Sequence, residues 1–146
     1  MKRRVIVMLS LLMGLLAPLA TCGASAEEVA APDAQEIHAL VQEQLEAFAN
    51  DDAEKAFDLT TDSAREQLGS ADDFLLMIKT EYPAIYRHRR ALFSVAESVA
   101  GNTFQIVRLT DGENNVWLAI YQVERESNGR WKIDGCILVA TSSVSI

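Results

Sequence analysis

The sequence predicts an α+β domain, with N-terminal helices packed on one face of a curved antiparallel four-strand meander. Three observations carry that expectation. Apolar residues between positions 33 and 82 recur at helical spacing, the period falls to two from His88 onward, and three turn signals cut the second half into hairpin-length strands. Helices first and strands afterwards is the order of an α+β plan, in which the helices cover one face of the sheet.

The chain opens with Lys2, Arg3 and Arg4, an apolar run from Val5 to Leu19, and Ala24-Ser25-Ala26. Together these form the charged region, apolar region and small-residue cleavage site of a secretory signal over residues 1–26, cut after Ala26. The apolar run is shorter than the roughly twenty residues of a membrane span, and Gly14 and Pro18 interrupt it. A bacterial protein that is periplasmic or secreted, with no membrane contact after signal cleavage, is therefore expected. The alternative is a lipoprotein anchored at Cys22, because Leu19-Ala20-Thr21-Cys22 resembles a lipobox. Against it, Thr21 stands where that pattern takes Gly, Ala or Ser.

Residues 27–33 read as a linker into a single domain over 34–146. Asp33-x-x-Glu36 has the form of a capping box, and Ile37, Leu40, Val41, Leu45 and Phe48 make the buried stripe of the first helix. Asp51-x-x-Glu54 repeats the pattern for a shorter helix carrying Ala53, Ala56 and Phe57. Thr60 to Gly69 gives no decisive signal. Ser70 with Asp73 starts another helix, with Phe74, Leu75 and Ile78 inside, and Pro83 ends it by disfavouring helix at Tyr82.

Ala100-Gly101-Asn102, Gly112-Glu113-Asn114 and Ser127-Asn128-Gly129 read as three-residue loops whose last residue takes positive φ. All three hairpins then pair with even sums, and odd-numbered residues share the helix-covered face. The rows run Phe93, Leu109, Trp117, Val139; Val95, Val107, Ala119, Ile137; Glu97, Gln105, Tyr121, Gly135; and Val99, Thr103, Val123, Ile133. The hairpin from Val116 to Val139 anchors this register, since a one-residue slip would set Glu124 against Ile133.

Tyr82-Pro83-x-x-Tyr86-Arg87, Val116-Trp117-Leu118-Ala119-Ile120-Tyr121 and Gly129-x-Trp131-x-Ile133-x-Gly135-Cys136 resemble the DUF4864 family, over nearly all of Gln35 to Val139. The order of elements is also similar to the wider NTF2-like superfamily. That resemblance implies a cone-shaped domain of the kind that binds small molecules, acts as an isomerase or dehydratase, or only dimerises. Such breadth leaves function to be argued from the site.

The chain has 13 basic and 21 acidic residues, and loss of the signal leaves 10 against 21, a charge near −11. Nucleic acid is not an expected partner, because Arg87-His88-Arg89-Arg90 is the only local basic stripe. Cys136 is the sole cysteine after signal removal, and it is expected to be a buried thiol opposite Ile120 on the outer face. With His38 and His88 the only imidazoles, no metal cluster and no cofactor are expected.

Candidate ligand-binding residues fall in two groups. Glu97, Gln105 and Tyr121 would form a polar row on an apolar face, with Gly135 leaving space beside them. There a desolvated Glu97 would serve as a general base, with Tyr121 as hydrogen-bond donor and His38 as proton shuttle. The structural alternative makes Glu97 an edge residue, Gln105 and Tyr121 partners of helix termini, and His38 a boundary residue. Tyr82, Tyr86 and Arg87 would either hold a planar or acidic ligand at the cone mouth or lock the helix-to-strand corner fixed by Pro83. No catalytic residue is assigned. The function expected is a non-catalytic module for a small ligand or protein; the alternative is a cofactor-independent isomerase or hydratase. A homodimer or protein partner is expected on the outer sheet face, through Phe104, Ile106, Leu118, Ile120 and Leu138.

Overall fold

Pro32 sets the start of the first helix, α1, at Ala31–Ala49, because a residue without N–H loses nothing in a first turn. The computed structural model describes residues 23 and 25–141; the lipobox and all but three residues of the expected signal segment lie outside them. Asp33 and Glu36 do not form the expected capping box. The Asp33 carboxylate instead accepts from Arg125 at 2.6 Å and from Trp131 Nε1 at 3.2 Å, and Glu36 accepts from the Trp131 backbone N–H at 3.3 Å. These acids therefore pin the start of α1 to the last hairpin. Behind them the expected stripe is buried, and it continues through Gln44.

Asp52, rather than Asp51, caps α2 (Ala53–Asp58) by accepting from the Lys55 N–H. The undecided stretch contains α3 (Asp62–Leu68), capped by Thr61. Ser70 caps α4 (Ala71–Glu81) through the Asp73 N–H, and Pro83 ends it and opens a single turn, α5 (Pro83–Tyr86).

The general class is α+β, helices followed by an open antiparallel sheet, but among the described residues the sheet has six strands rather than four. The expected first strand divides into β2 (Arg90–Phe93) and β3 (Glu97–Val99), which lie end to end along one edge of β4 (Asn102–Thr110). β1 (Glu27–Glu28), in the stretch read as linker, pairs with β3. The other edge of β4 carries β5 (Val116–Arg125), followed by β6 (Trp131–Ala140).

Two of the three registers need correction. Ala100 and Gly101 both take positive φ, 50° and 81°, so the β3–β4 loop has two residues and an odd register. Alanine is a poor residue for that conformation, which is why the turn reads as longer in the sequence. Glu97 consequently lies opposite Phe104 and is exposed. In β2 the register returns to an even sum, but shifted, with Phe93 opposite Val107 rather than Leu109.

The β4–β5 hairpin keeps its expected register, with Gln105 opposite Tyr121, Leu109 opposite Trp117 and Asn114 at φ 66°. The β5–β6 hairpin keeps its register only near the turn. Val123 faces Ile133 and Glu124 faces Lys132, but Gln122 then faces Gly135, and Asp134 is the extra residue of a β-bulge. The cause is a side connection. The Thr61 N–H donates to Ile133 O, the Ile133 N–H donates to Leu59 O, and Thr61 Oγ1 donates to the Asp134 carboxylate at 2.7 Å. This segment holds β6 from its free edge and re-aims the rest of the strand.

Beyond the bulge every β6 residue changes face. Cys136 lies opposite Tyr121, not Ile120, and it packs with Leu138 against the core. Ile137 and Val139, assigned inward by the sequence register, point outward at 65% and 42% exposure. The core is built from Ile37, Val41, Phe48, Val107, Leu109 and Tyr121, between α1 and the inner sheet face.

Candidate functional site

The helices do not close completely over β5 and β6. A cavity of about 230 Å³ remains between them, walled on the helix side by Phe48 of α1, Leu68 of α3, Phe74 and Ile78 of α4, and Ile85 of α5. The sheet contributes Tyr121, Ile133, Asp134, Gly135 and Cys136. Gln67 and Gly135 line it and are exposed, so they stand at its mouth. A cavity of about 150 Å³ with apolar walls holds benzene, so this one has room for one ring or two fused rings.

Its polar groups are few. Gln44 is 2% exposed and donates Nε2 to Ala56 O at 3.1 Å, which leaves its carboxamide oxygen as the acceptor end. The Thr60 hydroxyl is spent on Phe57 O. Asp134 presents a carboxylate steadied by Thr61. Tyr121 is 1% exposed; its hydroxyl has less than 1 Å² accessible and no hydrogen bond of good geometry, although it lies against the Cys136 thiol, a weak partner. Burial pushes the Tyr121 phenol well above its ordinary value, with the facing Cys136 adding to the shift. Burial likewise pushes the Cys136 thiol up to about 12, partly offset by the Tyr121 hydroxyl. Both groups are neutral near pH 7, and Cys136 is a poor nucleophile there.

The sequence-derived candidates separate. Tyr121 and Tyr82 line the cavity. Gln105 is buried next to Tyr121 but points elsewhere, donating Nε2 to Ser94 O at 2.7 Å and Ile106 O at 3.0 Å, where it bridges the gap between β2 and β3. Glu97 is on the outer face, and His38 stacks on Phe93 at 4.1 Å at the surface, so neither meets Tyr121. Gly135 leaves no gap for the Tyr121 ring, since the bulge sets it opposite Gln122.

Tyr86 and Arg87 belong to a corner. Tyr86 donates its hydroxyl to Asp51 at 2.6 Å, Lys79 pairs with the same carboxylate at 3.0 Å, and the Arg87 guanidinium lies 4.8 Å from the ring centre. The Tyr86 hydrogen bond, then Lys79, holds Asp51 below its ordinary range. Tyr82 also faces an outer groove with Arg87, Trp117 and Leu138, so it is the wall shared by groove and cavity.

Sequence reasoning misses Asp134, Cys136 and Gln44 as cavity residues. The first two turn on a bulge whose cause is a contact with Thr61, 73 residues away. Gln44 has a signal in the sequence, being three positions from Val41 and four from Phe48 on the buried stripe. Among the described residues no group of three or more His, Cys, Asp or Glu is placed to hold a metal ion, and no helix is long and apolar enough to cross a membrane.

Neither the curated proteins nor the solved structures contain a match to this chain. A family model does match residues 30–146, which takes in every helix among the described residues and the sheet from β2 onward. The chain therefore belongs to the DUF4864 family, a domain of unknown function.

Proposed function

We propose that this chain is an exported, NTF2-like module that holds a small ligand between its helices and its sheet without transforming it. One observation carries this reading. The Tyr121 hydroxyl is buried in the wall of a mainly apolar cavity with the weakly hydrogen-bonding Cys136 thiol beside it, and a buried hydroxyl without a full partner costs about 1–3 kcal/mol. A polar group of a ligand that pairs with it recovers part of that cost. The isomerase or hydratase alternative relies on Glu97 and His38, which lie away from this cavity. The test is ligand-observed NMR with one- and two-ring compounds against the signal-free protein, with Ala64→Phe, which fills the cavity, as control. Binding that Ala64→Phe removes supports the reading; no binding to the wild type overturns it.

For the partner we propose a second copy on the outer sheet face. Leu138 drops out of the expected patch, and Ile137 and Val139 join Phe104, Ile106, Leu118 and Ile120. Arg90 and Arg108 flank one end of this patch, and Glu97 and Glu124, the latter beside Lys132, flank the other. A two-fold axis that runs two such sheets antiparallel sets opposite charges together around an apolar centre. Light scattering should then give a dimer mass that Ile120→Lys halves. A wild type that stays monomeric at high micromolar concentration refutes this partner.

A further inference from the structure

The cavity wall mixes aromatic and aliphatic surface with a few polar groups, and the signs of those groups are uneven. Asp134 brings a full negative charge, with one carboxylate oxygen taken by Thr61. Gln44 offers its acceptor end, since its donor end is bound to Ala56 O. Tyr121 adds a neutral hydroxyl, and no Lys, Arg or His lines the cavity among the described residues. A carboxylate or phosphate entering here would meet the Asp134 carboxylate with no cationic side chain among the described lining residues, whereas an N–H or ammonium group would meet two acceptors. Phe48, Phe74 and Tyr82 supply faces suited to a flat ring.

From this asymmetry we infer that the cavity selects compact ring compounds bearing a nitrogen–hydrogen donor, protonated amines above neutral ones, and rejects carboxylates. The inference rests on the cavity being the ligand site, and it adds the chemical class. Asp134 is the specificity-determining residue, because it is the one ionisable carboxylate among the described lining residues and Thr61 holds one of its oxygens.

Three probes share one ring and differ in charge: tryptamine, indole and indole-3-acetate. Their affinities for the signal-free protein at about pH 7 and roughly physiological salt are measured by titration calorimetry, beside Asp134→Asn and Ala64→Phe. The amide introduced by Asp134→Asn keeps an oxygen for the Thr61 hydroxyl, and a circular dichroism melt confirms that each variant is folded. Tryptamine should bind at least about tenfold more tightly than indole-3-acetate, with indole between them. Asp134→Asn should collapse that ratio to within about threefold, while Ala64→Phe should remove all three. Equal affinity for tryptamine and indole-3-acetate overturns the inference and leaves the cavity as the site. Tryptamine binding that survives Ala64→Phe overturns the inference as well, by assigning the amine to the acidic surface. Failure of all three probes, together with the wider set of rings, overturns the cavity reading itself.

Discussion

Tyr86 and Tyr121 are both aromatic hydroxyls that the sequence offers as ligand contacts, and the fold treats them in opposite ways. At the corner after α4, the Tyr86 hydroxyl has a carboxylate acceptor, the carboxylate has a lysine, and the ring carries a guanidinium. Every polar group there is used. In the cavity wall, Tyr121 is more deeply buried and its hydroxyl has only the weakly bonding Cys136 thiol beside it. A half-exposed corner that satisfies all its groups is a structural device. A buried hydroxyl without a full partner is open to completion by a ligand.

The largest expected effect of that difference is on alkaline stability. Tyr121 and Cys136 face each other across β5 and β6, both raised by burial. An acid kept neutral by the fold contributes stability that is fully present below its unfolded pKa and lost as pH rises toward the folded value. For Cys136 that window runs from its ordinary 9.0 to about 12. Each raised group takes up to about 1.4 kcal/mol of stability per pH unit inside its window. Denaturant melts between about pH 8 and 11 should show wild type losing stability faster than Cys136→Ala. Identical slopes would mean that the thiol is wet.

A smaller effect separates the two tyrosines at neutral pH. Tyr121→Phe removes a hydroxyl whose neighbour is only a weakly bonding thiol, so it should stay within about 1 kcal/mol of wild type or gain slightly, while losing affinity for any ligand that pairs there. Tyr86→Phe leaves Asp51 without its shortest donor and should lower the melting temperature with no effect on ligand affinity. Thermal melts and titrations on the two variants decide the comparison, and the reverse pattern would exchange the roles.

The legibility of the sequence divides along similar lines. The helix stripes, the cap at Ser70 and the β4–β5 register follow from local spacing, and Asn114 takes positive φ where its loop requires it. The cap at Thr61 is not legible in the same way, because a seven-residue helix shows too little periodicity to mark its own start. The cavity is only half legible. Its floor at Tyr121 follows from a hairpin pattern, but Asp134 and Cys136 reach it through a bulge imposed by the α2–α3 connection. A strand slipped by one residue exchanges faces wholesale, so the bulge held by the Leu59–Thr61 segment puts Cys136 and Leu138 inward and Ile137 and Val139 outward. Glu97 leaves the inner face for a related reason, a two-residue turn with alanine where asparagine or glycine is usual.

The smallest effect is at acid pH, and it belongs to the corner. Asp51 is held below its ordinary value by the Tyr86 hydroxyl first and Lys79 second. A depressed carboxylate contributes stability that is present above its unfolded pKa and lost as pH falls through the folded one, so the contribution should fade below about pH 4. The group is exposed, and solvent screening keeps the contribution small. Melts of wild type and Asp51→Asn should therefore differ modestly at about pH 6 and converge at about pH 3. Tyr121 and Cys136 offer no counterpart, since burial in neutral form makes them silent in acid. A Tyr121→Phe variant whose acid profile departed from wild type would show that its hydroxyl is coupled to a carboxylate after all. Asp134 is the carboxylate in that wall, and the opposition between the two tyrosines would then give way to two versions of the same pairing.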